Sequence, residues 1–190
     1  MKCNPKLYEN IVVFDFKSLY PSIMIGFNIS YETLKDDGEI NVDDKYRFIK
    51  KKGIIPSIVK PFIDKKAELE KELETMDKRT QEYKSLDIKR NATKIISNSF
   101  YGVLGFRNFR LYKKDAASAI TYIAKKSLKK AIEWFKDKGY DVIYGDTDSI
   151  FVQFNEIDID KIKDLTEEIN IHFKEWIESY GIHKDNNLFD

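Results

Sequence analysis

Two places in this chain hold carboxylates where such groups are costly without a cation. Asp15 ends the apolar run from Ile11, and Asp146 and Asp148 lie in Tyr144-Gly145-Asp146-Thr147-Asp148-Ser149 between two β-rich stretches. Carboxylates packed into a turn repel one another unless a cation neutralises them. Asp146 and Asp148 alternate, so they share one face if both are extended. A neighbouring strand ending at Asp15 would complete the group. Oxygen-only ligands with no His or Cys nearby favour Mg²⁺ or Mn²⁺ over Zn²⁺. Two such ions, about 3.5–4 Å apart, can activate an attacking hydroxyl and stabilise the leaving oxygen of a phosphoryl transfer. Taken alone, Gly-Asp-Thr-Asp reads equally well as an ordinary hairpin turn.

Two further segments offer groups for a phosphorylated substrate. Ser18-Leu19-Tyr20-Pro21-Ser22 follows the Asp15 strand where the backbone must turn. Successive backbone N–H groups at such a turn can hold phosphate oxygens. Arg90, Lys94, Asn98 and Tyr101 are spaced by four, four and three, and so line one helix face. A cation, an amide and an aromatic ring along one stripe suit phosphate, sugar and base in turn, and charge-assisted contacts from Lys94 would neutralise a triphosphate. For most other charges nearby, such as Glu68, Glu72, Glu74 and Lys78, a solvated helix surface is the reading. Tyr20, one of 11 tyrosines, reads on its own as a half-buried aromatic.

Positioning these groups requires the following elements. Ile11 to Phe16 reads as a buried strand. Asp36-Asp37-Gly38 marks a tight turn within a mixed region bracketed by Pro21 and Pro56. From Pro56, Phe62, Leu69, Leu73 and Met76 fall at helical spacing, and Asp77-Lys78-Arg79-Thr80 turns the chain into a second helix from Gln81 to Phe100, ending at Tyr101-Gly102. The pair forms a helical hairpin. Asp115 caps a third helix, with Ala117, Ile120, Ala124, Leu128, Ala131 and Phe135 as its apolar stripe and Gly139 as its stop. Asp141 to Tyr144 and Ser149 to Phe154 are strands around the acidic turn. A last helix, Ile159 to Tyr180, buries Ile162, Leu165, Ile169, Phe173 and Ile177, with Gly181 after it. This order predicts an α+β fold in which helices back one face of an antiparallel sheet and the helical hairpin projects as an insertion.

Composition fits a globular chain with 42% hydrophobic and 34% charged residues in 190. The longest apolar stretches are too short to cross a bilayer, and Met1 to Asn4 begins no signal-peptide run, so no membrane is expected and the location is read as intracellular. Cys3 is the single cysteine, which leaves no internal disulfide. With 33 basic and 32 acidic residues the net charge is +1, so nucleic-acid binding depends on local segregation of charge.

Asp15-Phe16-Lys17-Ser18-Leu19-Tyr20-Pro21-Ser22, Lys94 to Gly102 and Tyr144 to Ser149 together, in that order, resemble motifs A, B and C of the family B (alpha-like) DNA polymerases. The resemblance runs from about Leu7 to Phe154. It implies an antiparallel palm sheet backed by helices, with an inserted two-helix antiparallel fingers hairpin: residues 1–55 as the first part of the palm, 56–101 as fingers, and 102–190 as the second part of the palm, ending before the thumb. The implied activity is transfer of dNMP from a dNTP to a primer 3′-hydroxyl by two-metal catalysis with Mg²⁺, for which Mn²⁺ substitutes. Asp15 and Asp148 would be the principal metal ligands, joined by the Phe16 carbonyl, with Asp146 in support. Ser18, Leu19 and Tyr20 would contact the triphosphate through the backbone, and the Tyr20 ring would exclude a 2′-hydroxyl. Lys94 and Asn98 would face the nucleotide, Tyr101 and Gly102 the nascent base pair, with Thr147 and Arg90 in support. Primer–template DNA and dNTP are the implied partners, together with the missing exonuclease, N-terminal and thumb segments or a partner subunit. In a prokaryotic or archaeal cell the place would be the cytoplasmic nucleoid.

One departure from the resemblance falls on the first helix, where the family offers two basic residues four apart. Those positions are Lys66 and Glu70 here; the second reverses the charge, and Lys71 would replace it only if the helix were rotated. A polymerase-derived subunit without catalysis, binding DNA or a partner, is the alternative outside enzymes, though inactive relatives would be expected to lose the aspartates. A protein-primed family B enzyme is the alternative within them, but no insertion is recognisable between Ser22 and Lys94. Asp146-Thr147-Asp148 speaks against a reverse transcriptase, in which adjacent aspartates are expected.

Overall fold

The computed structural model describes residues 6–180 and 182; Met1 to Asn4, with Cys3 among them, and Gly181 lie outside the described residues. Along the chain run β1 (Ile11–Asp15), α1 (Leu19–Gly26), β2 (Ile40–Val42), β3 (Tyr46–Phe48), α2 (Ile54–Glu74), α3 (Gln81–Gly105), α4 (Lys114–Asp137), β4 (Asp141–Asp146), β5 (Ser149–Gln153) and α5 (Ile159–Glu178). This is a mixed α and β arrangement whose two small sheets are antiparallel.

The main sheet has the order β1-β5-β4. Phe14 pairs with Ile150, and Val12 and Val142 flank Val152. Period-two alternation sends these residues to one face, where α4 and α5 cover them. The Phe14 ring lies 4.6 Å from Phe135 of α4, and Phe16 meets Phe173 of α5 edge-on at 5.4 Å. Burying a ring as large as Phe135 stabilises the fold by roughly 1.5–3 kcal/mol. The opposite face carries Val13, Phe151 and Tyr144, and Val13 is 51% exposed. The expected apolar stripe of α4 is buried at Ala117, Ile120, Ala124, Ala131 and Phe135, with Leu128 half-buried.

A bulge at Ile143 sets the acidic turn. Val142 pairs with Val152 but Tyr144 pairs with Phe151, so one residue of β4 is left over. The shift puts Asp146 opposite Ser149 and leaves Thr147 and Asp148 as the two-residue loop. Thr147 has φ 48°. A β-branched residue in the left-handed region is strained, at a cost of order 1–3 kcal/mol.

The long helices α2 and α3 pack on each other after a short connection. No side chain of its own caps α2; Glu32 accepts from the Ile54 N–H at 2.6 Å and Ser30 from the Ile55 N–H at 3.3 Å. Asn28 accepts from the Gly53 N–H at 2.8 Å and donates to the Ile49 and Lys51 carbonyls. These contacts tie the chain between α1 and β2 to the root of the hairpin. Thr80 caps α3 by accepting from the Tyr83 N–H.

Several expectations from the sequence shift. The second hairpin helix does not end at Tyr101-Gly102 but continues to Gly105, because Gly102 is an ordinary helical residue and buried Leu104 anchors another turn. Glycine inside a helix costs only about 1 kcal/mol relative to alanine. Asp115 does not cap α4; Lys113 stands at the cap position and Asp115 lies in the first turn, where it complements the helix dipole. Gly139, with φ +82°, does follow α4. Two features missing from the sequence reading are α1 and the β2–β3 hairpin.

Candidate active site

A cavity of about 600 Å³ opens where β1, α1, the hairpin helices and the β4–β5 turn meet. It is lined by Asp15, Phe16, Lys17, Ser18, Leu19, Tyr20, Lys66, Glu70, Arg90, Lys94, Asn98, Tyr101, Thr147 and Asp148. Residues from four stretches of sequence are thus gathered in one place. The size is typical of a small-molecule site.

The acidic wall is built by sheet register. Asp15 and Asp146 both pair with Ser149, one from each side, and the Phe16 N–H donates to the Asp148 carbonyl at 2.8 Å. Opposite residues in an antiparallel pair project to the same side. Asp15 and Asp146 therefore share a face, while Asp148 reaches the cavity from the turn. This corrects the strand alternation expected for Asp146 and Asp148, because only the first is in a strand. Asp146 accepts from the Thr147 hydroxyl at 3.2 Å and is not among the lining residues.

Burial, and then the charge of Asp148, push the Asp15 carboxyl above its ordinary range, against the opposing pull of Lys94 and Lys66. Such a pair suits a hard divalent cation, which would remove the repulsion. No group of three or more His, Cys, Asp or Glu side chains placed to hold a metal occurs among the described residues. An ion at Asp15 and Asp148 would draw its remaining oxygens from backbone, water or substrate.

The roof is helical. Ser18 sits at the N-cap of α1 with φ 55° and ψ 45°, and its own side chain makes no capping bond. The first N–H groups of a helix have no partner within it, so those of Leu19 and Tyr20 are open to an anion. The Ser18 hydroxyl instead accepts from Lys66 Nζ at 2.9 Å. Lys94 and Asn98 make no ion pair or side-chain hydrogen bond among the described residues. The rings of Tyr20 and Tyr101 meet at 4.7 Å and 51°. Burial, then Tyr101 and Asp148, raise the Tyr20 phenol above its ordinary range.

The family model for DNA polymerase family B matches residues 1–180. This chain belongs to DNA polymerase family B. It is 38% identical over 175 residues to a DNA polymerase of Archaeoglobus fulgidus and 36% identical over 169 residues to one of Thermococcus gorgonarius, covering 88% and 85% of this chain. It spans 22% of the length of each of those relatives. It is also 32% identical over 181 residues to the DNA polymerase alpha catalytic subunit of Dictyostelium discoideum, covering 90% of this chain and 12% of that one. Among solved structures, the family B DNA polymerase of Pyrobaculum calidifontis superposes with a TM-score of 0.69 at 30% identity, over 96% of this chain and 24% of that one.

Of the residues that the family B resemblance marks out, Asp15, Phe16, Ser18, Leu19, Tyr20, Lys66, Arg90, Lys94, Asn98, Tyr101, Thr147 and Asp148 line the one cavity; Asp146 and Gly102 do not. A Cβ added at Gly102 would meet nothing within 4 Å. Lys71 does not replace Glu70: it is exposed, and Glu70 is the side chain that faces the cavity. Lys17 was missed. It stands beside Asp15 and Ser18 in sequence, but nothing there shows on which side of the chain its long arm lies.

Proposed function

We propose that this chain is the nucleotidyl-transfer core of a DNA-templated DNA polymerase, joining a primer 3′-hydroxyl to the α-phosphate of a dNTP with release of pyrophosphate. The observation that carries the reading is the gathering of an acidic pair, Asp15 and Asp148, with Lys66, Lys94 and the N-terminus of α1 around one cavity. Carboxylates and phosphate donors around one cavity suit phosphoryl transfer, in which catalysis is mostly positioning and charge stabilisation.

In this reading Lys66, Lys94 and the Leu19 and Tyr20 N–H groups hold the triphosphate. The Tyr20 ring lies under the sugar and blocks a 2′-hydroxyl, and Asn98 and Tyr101 bound the sugar and base. Asp15 and Asp148, with the Phe16 carbonyl, would hold Mg²⁺ or Mn²⁺, with Asp146 supporting from the far side of Ser149. Bound there, such ions would make the primer hydroxyl a better nucleophile and neutralise charge on the leaving oxygen. Residues 1–55 and 102–190 form the palm and 56–101 the fingers. Primer–template DNA would be held jointly with segments equivalent to the rest of the longer relatives, on the same chain or a partner, in the cytoplasmic nucleoid of a prokaryotic or archaeal cell.

Primer extension by the 190-residue chain in Mg²⁺ and in Mn²⁺ tests this, with Asp148→Asn as control. Extension that the substitution abolishes supports the reading. Extension that persists at a near-normal rate in Asp148→Asn would overturn the metal assignment.

A further inference from the structure

We propose that Glu70 is a resident competitor for the triphosphate tail, an internal carboxylate that occupies the cations a nucleotide needs and so weakens nucleotide binding. The inference rests on the reading of the cavity as a dNTP site. Its starting point is a convergence of charge. The Glu70 carboxylate lies 3.3 Å from Lys66 Nζ, 3.4 Å from Lys17 Nζ and 4.0 Å from Arg90 Nη1. These cations come from three elements: the loop after β1, the preceding turn of α2, and α3. All four residues line the cavity.

The Glu70 side chain is 25% exposed and that of Lys66 is 9% exposed. Ion contacts so shielded from water are stronger than those of a freely solvated pair. Among the cavity's cations, Lys66 is therefore held most firmly by Glu70, Lys17 reaches it from a side chain that is 49% exposed, and Arg90 is shared between Glu70 and Asp87. Lys94 alone of the four makes no ion pair among the described residues. A triphosphate entering between α1 and the hairpin meets one cation outside any ion pair, Lys94, and, besides Asp15 and Asp148, a third carboxylate that already holds the other cations. To gain Lys66 and Lys17 it must displace the Glu70 carboxylate or draw it aside. In the absence of nucleotide, the same carboxylate holds Lys17, Lys66 and Arg90 together across three elements.

The test is calorimetric titration of the 190-residue chain in Mg²⁺ with dATP, inorganic tripolyphosphate and deoxyadenosine. It compares the parent with Glu70→Gln, Glu70→Lys and Lys94→Ala, each first shown to melt cooperatively. Glu70→Gln keeps the shape and removes the charge. It is expected to tighten dATP and tripolyphosphate alike by about tenfold, equivalent to 1.4 kcal/mol. Glu70→Lys should tighten both further, and deoxyadenosine binding should be unchanged in either. If Lys94→Ala weakens dATP while both Glu70 variants leave tripolyphosphate unchanged or weaker, Glu70 is a structural clamp and the inference is overturned with the nucleotide reading intact. If Lys94→Ala leaves dATP affinity unchanged, or if no variant binds dATP, the nucleotide reading fails and the inference falls with it.

Discussion

Replacing Lys66 with methionine should cost the protein both stability and nucleotide affinity. The Lys66 side chain is 9% exposed, and its ammonium group donates to Ser18 Oγ at 2.9 Å and contacts Glu70 at 3.3 Å. Methionine keeps most of the apolar stem but removes the charge and both contacts. A hydrogen bond to a charged group contributes roughly 1.5–3 kcal/mol. Stripping one partner from a fully buried ion pair costs about 3–5 kcal/mol, because the other charge is left alone. Glu70 is not left alone, since Lys17 and Arg90 remain at 3.4 and 4.0 Å. The lower range therefore applies, and about 1.5 kcal/mol is expected. For a chain of this size that is a fall in melting temperature of about 3–6 °C. The assay is thermal unfolding followed by circular dichroism, with dATP titrated into the same samples. Affinity for dATP should fall by about tenfold or more, as expected for a lost charge-assisted phosphate contact. A melting temperature equal to or above the parent's would refute the clamp between α2 and the start of α1. Undiminished dATP affinity would remove Lys66 from the phosphate site.

Two other substitutions separate function from stability. Asp15→Asn should abolish extension yet raise the melting temperature in EDTA, because burial and Asp148 disfavour the Asp15 carboxylate. The raised folded value means that the native state binds the proton more tightly than the unfolded chain, so this term falls as pH rises between the two values. Melting across pH 3–8 should show the loss in the parent and a flatter curve in Asp15→Asn; a lower melting temperature for the variant at neutral pH would contradict the repulsion. Tyr20→Ala should relax discrimination against rNTPs by about tenfold or more, read from the ratio of kcat/KM for matched rNTP and dNTP. An unchanged ratio would remove Tyr20 from the sugar gate.

Much of the site was legible in the sequence because its residues occupy regular elements. Helical spacing put Arg90, Lys94, Asn98 and Tyr101 on one face, and all four line the cavity. The strand ending at Asp15 and the β-rich runs around Gly145 to Asp148 were likewise readable from alternation and turn residues. What escaped depends on backbone exceptions and long-range contacts. Ser18 and Pro21 read as a turn, whereas Ser18 in the left-handed region occupies the N-cap position of α1 without a capping bond of its own and Pro21 sits in the first turn, where a missing N–H costs nothing. The strands β2 and β3 are three residues each, and both Asp43 and Asp44 between them have positive φ, which no strong hairpin dipeptide announced. The turn at Thr147 depends on the Ile143 bulge, a register shift that propensity does not encode. The spacing of Lys66 and Glu70 shows a shared helix face but not that Lys17 and Arg90 arrive from elsewhere.

In the proposed reading one cavity holds a metal-bound dNTP among Asp15, Asp148, Lys66, Lys94 and the N-terminus of α1. A crystal of this chain grown with Mn²⁺ and dATP, with anomalous scattering recorded for manganese, tests it most directly. Manganese is expected at the Asp15 and Asp148 carboxylates and the triphosphate against Lys66, Lys94 and the α1 N-terminus. Manganese bound away from both aspartates, or a triphosphate seated outside this cavity, would contradict it.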